Sequence, residues 1–138
     1  MYIKSLIQNR LFSEPFKIVD PKGVEIDSKK FQKDFVHLRN WLSVNCADTP
    51  VGINLPKDHR YVMCVLACMD AGVVYVPMKD NFPENRIEQI KAESGFTVLM
   101  NEEKFADVLK TPHVDFKEKD LSENSTLYII CTSGSTGR

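Results

Sequence analysis

The sequence predicts an α/β fold, a mainly parallel sheet with flanking helices, and three observations carry that reading. "VGINLP" reads as a buried strand, Asp58 to Ala71 as a helix apolar on most of its circumference, and "VVYVP" as a second strand immediately after Gly72. Strand, helix and strand joined by short turns describe a right-handed parallel crossover. The pattern then repeats, from Pro83 through Gly95 into the strand "FTVLM", and a further apolar run, Leu127 to Cys131, stands as the last strand.

Each element has a local reason. A short helix is expected around Lys4 to Leu11, followed by two strand-like runs, "FKIVD" and "GVEI". Between these runs Asp20-Pro21-Lys22-Gly23 places proline and glycine at the second and fourth positions of a turn, which predicts a small hairpin. From Ser28, Phe31, Phe35, Leu38 and Leu42 recur at helical spacing, with Asp27 or Ser28 as the N-cap. His37 and Trp41 fall within this helix and are read as packing or surface residues.

In the next helix the expected inward stripe is Val62, Val65, Leu66 and Met69, and Gly72 is placed to end it in a left-handed conformation. Pro83 suits the first turn of the following helix, Ile87 and Ile90 its inward positions, and Gly95 its end. Asn101 can cap a short helix through Leu109. "KTPHVDFKEKDLSENS" reads as an exposed connector, with room for a short edge strand, and its charge run as a solvated face.

Composition narrows the function. The 138 residues, 43% of them hydrophobic, suffice for one domain with one core that buries roughly two-thirds of the surface its unfolded chain exposes. Eighteen Lys+Arg against nineteen Asp+Glu leave a formal charge of -1 with no basic block, so no nucleic-acid partner is predicted. "MYIKSLIQNRLF" breaks its apolar residues with Lys4 and Arg10 and forms no signal-peptide core, and the run Val62 to Met69 stops far short of the ~20 residues that span a bilayer. A soluble, cytoplasmic chain without a membrane partner is expected. Cys46, Cys64, Cys68 and Cys131 form no CxxC pair or Cys/His cluster, so no metal site is predicted and Cys64 and Cys68 are read as small core hydrophobes. His59 and His113 have no assigned role.

The chemically suggestive segment is the last one. A strand that empties into Thr132-Ser133-Gly134-Ser135-Thr136-Gly137 is a common way to bind phosphate, because backbone N–H groups and hydroxyls converge where an anion sits. Gly134 and Gly137 are two residues apart and no Lys-Ser/Thr follows, which excludes a Walker A loop. Taken alone, "SGSTG" is also compatible with a flexible linker or a cloning remnant.

The loop does not stand alone. "TSGSTG" after an apolar strand resembles the phosphate-binding motif of the adenylate-forming enzymes, the superfamily of acyl-CoA synthetases, luciferases and peptide-synthetase adenylation domains. Upstream, "CMDAGVVYVPMKDNFPENRI" resembles a second segment of that family, with Ala71, Gly72, Tyr75, Val76, Pro77, Pro83, Arg86 and Ile87 in register and Phe82 at an aromatic position. "FQKDFVHLRNWL" resembles its early amphipathic helix more weakly. The "FPENRI" form is most similar to amino-acid-adenylating domains, those of nonribosomal peptide synthetases and D-alanine carrier-protein ligases. Asp70, where the family usually has lysine, Lys79 and Asp80 in place of Asp-Pro, and Cys131 at an often aromatic position depart from the pattern.

The resemblance implies that residues 1–138 form the N-terminal part of the large domain of an adenylate-forming enzyme, truncated just after the phosphate-binding loop. It implies an ATP-dependent ligase that activates a carboxylic acid, with an amino acid the expected substrate, as an acyl-adenylate with release of pyrophosphate. The acyl group then passes to a thiol, of coenzyme A or of phosphopantetheine on a carrier protein. ATP and Mg²⁺ are the implied cofactors, and Thr132, Ser133, Gly134, Ser135, Thr136 and Gly137 the implied phosphate-binding residues, with no catalytic residue in this stretch. The family's following lysine, its adenine, Mg²⁺ and ribose motifs and its mobile C-terminal domain all fall beyond Arg138, so the isolated piece is expected to be inactive. An acyl-CoA synthetase fragment, a non-catalytic α/β binding or assembly module that self-associates through an open sheet edge, and a convergent phosphate loop remain as alternatives.

Overall fold

A computed structural model describes residues 17–19, 23, 25–118 and 128–129. The expected helix at Lys4 to Leu11 and the predicted phosphate loop lie outside these residues. A hairpin comes first: β1 (Lys17–Val19) pairs antiparallel with β2 (Glu25–Asp27), and Gly23 takes φ 83° in the connection, a conformation that suits glycine. Asp27 then accepts a hydrogen bond from the Lys30 N–H at 2.9 Å and caps α1 (Ser28–Asn45), as its position before the apolar repeat predicts. Phe31, Phe35, Leu38 and Leu42 are all fully buried along one face of α1.

The remaining elements alternate: β3 (Val51–Ile53), α2 (His59–Ala71), β4 (Tyr75–Pro77), α3 (Glu84–Ser94), β5 (Val98–Met100) and α4 (Glu102–Leu109). β3 lies between β4 and β5 and runs parallel to both, with Gly52 opposite Val76 and Leu99. Gly72 and Gly95 end α2 and α3 at φ 72° and 80°. Asn101 caps α4 by accepting from the Lys104 N–H at 2.9 Å. The α/β fold with a parallel sheet and flanking helices therefore stands as expected.

Period-two alternation along the strands divides the apolar residues between the two faces of the sheet. Val51, Ile53, Tyr75 and Met100 meet α1, α2 and α4 on one face, whereas Val76, Leu99 and Ile129 meet α3 on the other, around Met78, Ile90 and Phe96. The expected single core is thus two packed layers with the sheet between them. The step from β3 to β4 passes over the first face and the step back to β5 over the second, so both crossovers have one hand.

Gly52 is central because β3 is crowded. A Cβ there would lie 2.9 Å from Met78 Cε and 3.1 Å from two carbons of the Phe96 ring. The methionine tip can swing aside, but the ring is held in a packed layer. Gly52→Ala is expected to lower stability by about 1–3 kcal/mol in urea denaturation, as overpacking does; an unchanged midpoint would show that the second layer yields freely.

Three local expectations are corrected. The buried residues of α2 are Met63, Cys64, Ala67, Cys68, Asp70 and Ala71, while Val62 is 48% exposed and Val65, Leu66 and Met69 are only partly buried. On a helix apolar nearly all round, the small residues win the closest approach to α1 and the sheet. Pro83 occupies the N-cap of α3, one place before the helix, with φ -67° and ψ 157°. The connector after α4 forms no strand over 112–118; its charged residues Asp115, Lys117 and Glu118 are exposed as expected, but the segment is not exposed throughout, because Phe116 packs against the first layer.

Candidate functional site

In open parallel sheets, ligands bind beyond the carboxyl ends of the strands where neighbouring connections leave toward opposite faces. β3 sends its chain to α2 on the first face and β4 sends its chain to α3 on the second, so the adjacent ends of β3 and β4 form such a point. The Asn54 Nδ2 donates to the Lys79 carbonyl at 2.7 Å and ties the two ends together. The Asn54 backbone N–H donates to the Met100 carbonyl and that of Met78 to the Ile53 carbonyl, both at 2.9 Å. A cleft of about 370 Å³ opens there, lined by Asn54, Pro56, Asp80, Asn101, Glu102 and Glu103.

Beside this rim Asp58 caps α2, accepting from the Arg60 N–H at 2.9 Å, and its carboxylate also receives the Arg60 guanidinium at 2.6 Å. Arg60 reaches on to Glu102 at 2.9 Å, so one guanidinium joins the loop after β3 to the start of α4. The hydrogen bond from the guanidinium holds the Asp58 carboxyl below its ordinary range. A carboxylate so shifted stabilises the fold above its unfolded value and loses that contribution as pH falls through the folded one. Asp58→Ala is therefore expected to cost about 1 kcal/mol at pH 7, as lost caps do. The difference from the parent chain should shrink below about pH 4; a difference independent of pH would refute the assignment.

Of the predicted last strand, Leu127 to Cys131, only Tyr128 and Ile129 are described, and they form an isolated parallel bridge. Tyr128 bridges Tyr75 in parallel, the Ile129 N–H donates to the Tyr75 carbonyl at 2.9 Å, and the two tyrosine rings lie 5.8 Å apart. The chain therefore runs beside β4 in the direction of β3, β4 and β5, on the side of β4 away from β3. Thr132, Ser133, Gly134, Ser135, Thr136 and Gly137 lie outside the described residues, as does Cys131.

The second motif is placed in full, and its residues are architectural. Ala71 and Gly72 close α2, and Tyr75, Val76 and Pro77 are β4 itself. Pro83 caps α3, Arg86 donates to Gln89 Oε1 at 2.9 Å and sits 5.8 Å above the Phe82 ring, and Ile87 packs in the second layer. The upstream motif thus builds β4, the strand that Tyr128 bridges.

Cys64 and Cys68 are core residues, as their apolar neighbours predict. Cys46, Cys64 and Cys68 are buried free thiols. Burial pushes Cys46 up to about 11, and the hydrogen bond with Cys64, together with burial, pushes Cys68 up as well, so both stay protonated at neutral pH. His37 is bonded through Nε2 to the Val108 carbonyl at 2.9 Å. Among the described residues no three His, Cys, Asp or Glu side chains come together to hold a metal, and no helix is long and apolar enough to cross a membrane.

Sequence reading missed the Asn54 tie, the Asp58–Arg60–Glu102 bridge and the pairing of Arg39 with Asp70. Asp58 two places before Arg60 was a local signal for part of the second; the partners of the others are distant in sequence.

The family model described as AMP-binding enzyme matches residues 36–138, and the chain belongs to that family. A linear gramicidin synthase of Brevibacillus parabrevis is 30% identical over 105 residues, covering 65% of this chain and 2% of that protein. A D-alanine--D-alanyl carrier protein ligase of Bacillus cereus is 25% identical over 138 residues, covering 84% and 27%. The chain thus spans a small part of the relatives it matches. Among solved structures, the N-terminal subdomain of Klebsiella oxytoca NpsA shares the fold with a TM-score of 0.77 and 23% identity, over 99% of this chain and 37% of that one. The N-terminal domain of FACL13 from Mycobacterium tuberculosis does so at 0.79 and 16%, over 98% and 42%.

Proposed function

We propose that residues 1–138 are the opening part of an adenylation domain in an AMP-forming acid–thiol ligase, and that Thr132–Gly137 hold the β- and γ-phosphates of ATP. The observation that carries this reading is the family match over residues 36–138, together with a parallel bridge from Tyr128 to β4 at Tyr75. A carboxylate oxygen of the acid attacks the α-phosphorus, the bond to the bridging oxygen breaks, and pyrophosphate leaves. A thiol then takes the acyl group and AMP departs.

The loop's part is electrostatic. Hydroxyls of Thr132, Ser133, Ser135 and Thr136 and N–H groups exposed at Gly134 and Gly137 would bind the charge that grows on pyrophosphate as it leaves. Mg²⁺ bound with ATP would supply further charge neutralisation, and none of the described side chains is assigned to it. The relatives named as a gramicidin synthase and a D-alanyl carrier protein ligase favour an amino acid as the substrate and phosphopantetheine on a carrier protein as the acceptor. An adenylation and carrier di-domain of Klebsiella oxytoca NpsA with ThdA, similar at a TM-score of 0.71, fits the same partner. ATP dependence suits a cytoplasmic location.

The 138 residues by themselves should bind ATP poorly. Two or three hydrogen bonds to phosphate contribute roughly 3–9 kcal/mol, against about 4–15 for lost translational and rotational freedom. Titration calorimetry is expected to give a Kd above about 1 mM; micromolar binding would contradict this division of the site.

A further inference from the structure

We propose that the cleft between α1 and the segment after α4 is a docking surface for an acidic helical segment of a partner protein. The cleft measures about 540 Å³ and shares no residue with the one at the ends of β3 and β4. Lys29, Lys33 and His37 line it at intervals of four, which puts them on one face of α1 about 6 Å apart. His113 lines it from the segment after α4, its ring 6.5 Å from that of His37. The two walls are tied, because His37 Nε2 donates to the Val108 carbonyl at 2.9 Å, in the last turn of α4. Val36 and Leu109, both packed against the first layer, give the cleft an apolar floor.

The positive charge of the cleft is not cancelled from within. Among the described residues, Asp34 is the only carboxylate that lines it, and Asp34 pairs with Lys30 at 3.1 Å. The ammonium groups of Lys29 and Lys33 have no carboxylate partner among the described residues. Lys29 also stands in the first turn of α1, where the positive end of the helix dipole disfavours a cation, and beyond the capping Asp27 no acidic residue offsets it there. Such a cation weakens the helix unless an anion comes to meet it. A row of cations one helical turn apart matches carboxylates at every fourth position of a second helix, which repeat at the same spacing of about 6 Å. The apolar floor matches the apolar face that an amphipathic helix lays into a groove. A single small anion would meet one or two of these groups and leave the rest of the row unmatched, so the partner is an extended one.

The test titrates the complete polypeptide that carries these residues into a fluorescein-labelled amphipathic peptide of roughly 16 residues, long enough to form a helix. The peptide has glutamates at every fourth position and leucines on the adjoining face. Fluorescence anisotropy should show saturable binding that weakens as salt rises. Lys29→Gln/Lys33→Gln changes two exposed residues and should raise the Kd about tenfold, the effect of two exposed ion pairs. Serines in place of the peptide's leucines should weaken binding to the parent chain as well, because the apolar floor is then left unfilled. No saturable binding, equal affinity of the variant and the parent chain, or equal affinity of the leucine and serine peptides overturns the proposal. Displacement of the peptide by inorganic phosphate at constant ionic strength also overturns it and makes the cleft a site for a small anion. No nucleotide is present, so these titrations stand or fall separately from the phosphate-loop reading.

Discussion

Replacing Arg39 by alanine is expected to lower the unfolding free energy by about 3–5 kcal/mol, the cost of breaking a buried ion pair by removing one member. The partner left behind, Asp70, has a side chain only 1% exposed, and that of Arg39 itself is 16% exposed. Water therefore cannot replace the guanidinium without opening the packing of α1 on α2. A domain of this size has about 5–15 kcal/mol of stability in all, so the variant should lie near unfolding. Urea denaturation is the measurement. The double variant Arg39→Met/Asp70→Leu should recover most of the loss, because removing both charges removes their desolvation cost as well. A loss below about 1 kcal/mol in the single variant, the scale of an exposed pair, would show that the corner is hydrated.

The second large effect concerns the loop. In the complete polypeptide that carries these residues, Thr136→Val removes one hydroxyl while keeping the shape of the side chain. A hydrogen bond to a charged phosphate contributes about 1.5–3 kcal/mol, so kcat/KM for acid-dependent adenylation should fall about ten- to hundredfold. Ser135→Ala should act in the same direction. If the hydroxyl binds the departing pyrophosphate more strongly than ground-state ATP, the loss appears in kcat as well as KM. Unaltered kinetics in both variants would remove these side chains from the phosphate site.

The framework was legible because its signals are local. Asp27 and Asn101 each stand before an apolar repeat and each caps a helix, and Asp58, read as the first residue of its helix, is that helix's cap; Gly72 and Gly95 each follow a helix, and each turns left-handed. The short crossovers between β3, β4 and β5 left little freedom in topology. The face of α2 was misread because a helix apolar on most sides has no stripe to read, and packing then selects by size.

Arg39 and Asp70 are 31 residues apart, and Asn54 and Lys79 are 25 apart. No spacing rule connects them, since their meeting depends on how α1 crosses α2 and on which strands are neighbours. The candidate phosphate loop lies outside the described residues. Its residue types and glycines speak for an anion and its assignment to ATP came from resemblance, to which the fold adds an isolated parallel bridge at Tyr128 beside β4.

The most direct test of the central claim is ATP–pyrophosphate exchange by the complete polypeptide that carries these residues, assayed with amino acids, aryl acids and fatty acids in turn. Labelled pyrophosphate should enter ATP only when a cognate carboxylic acid is present, with an amino acid the expected choice. Exchange that needs no acid, or no exchange with any of the three classes, would contradict the assignment of this chain to an acid-activating ligase.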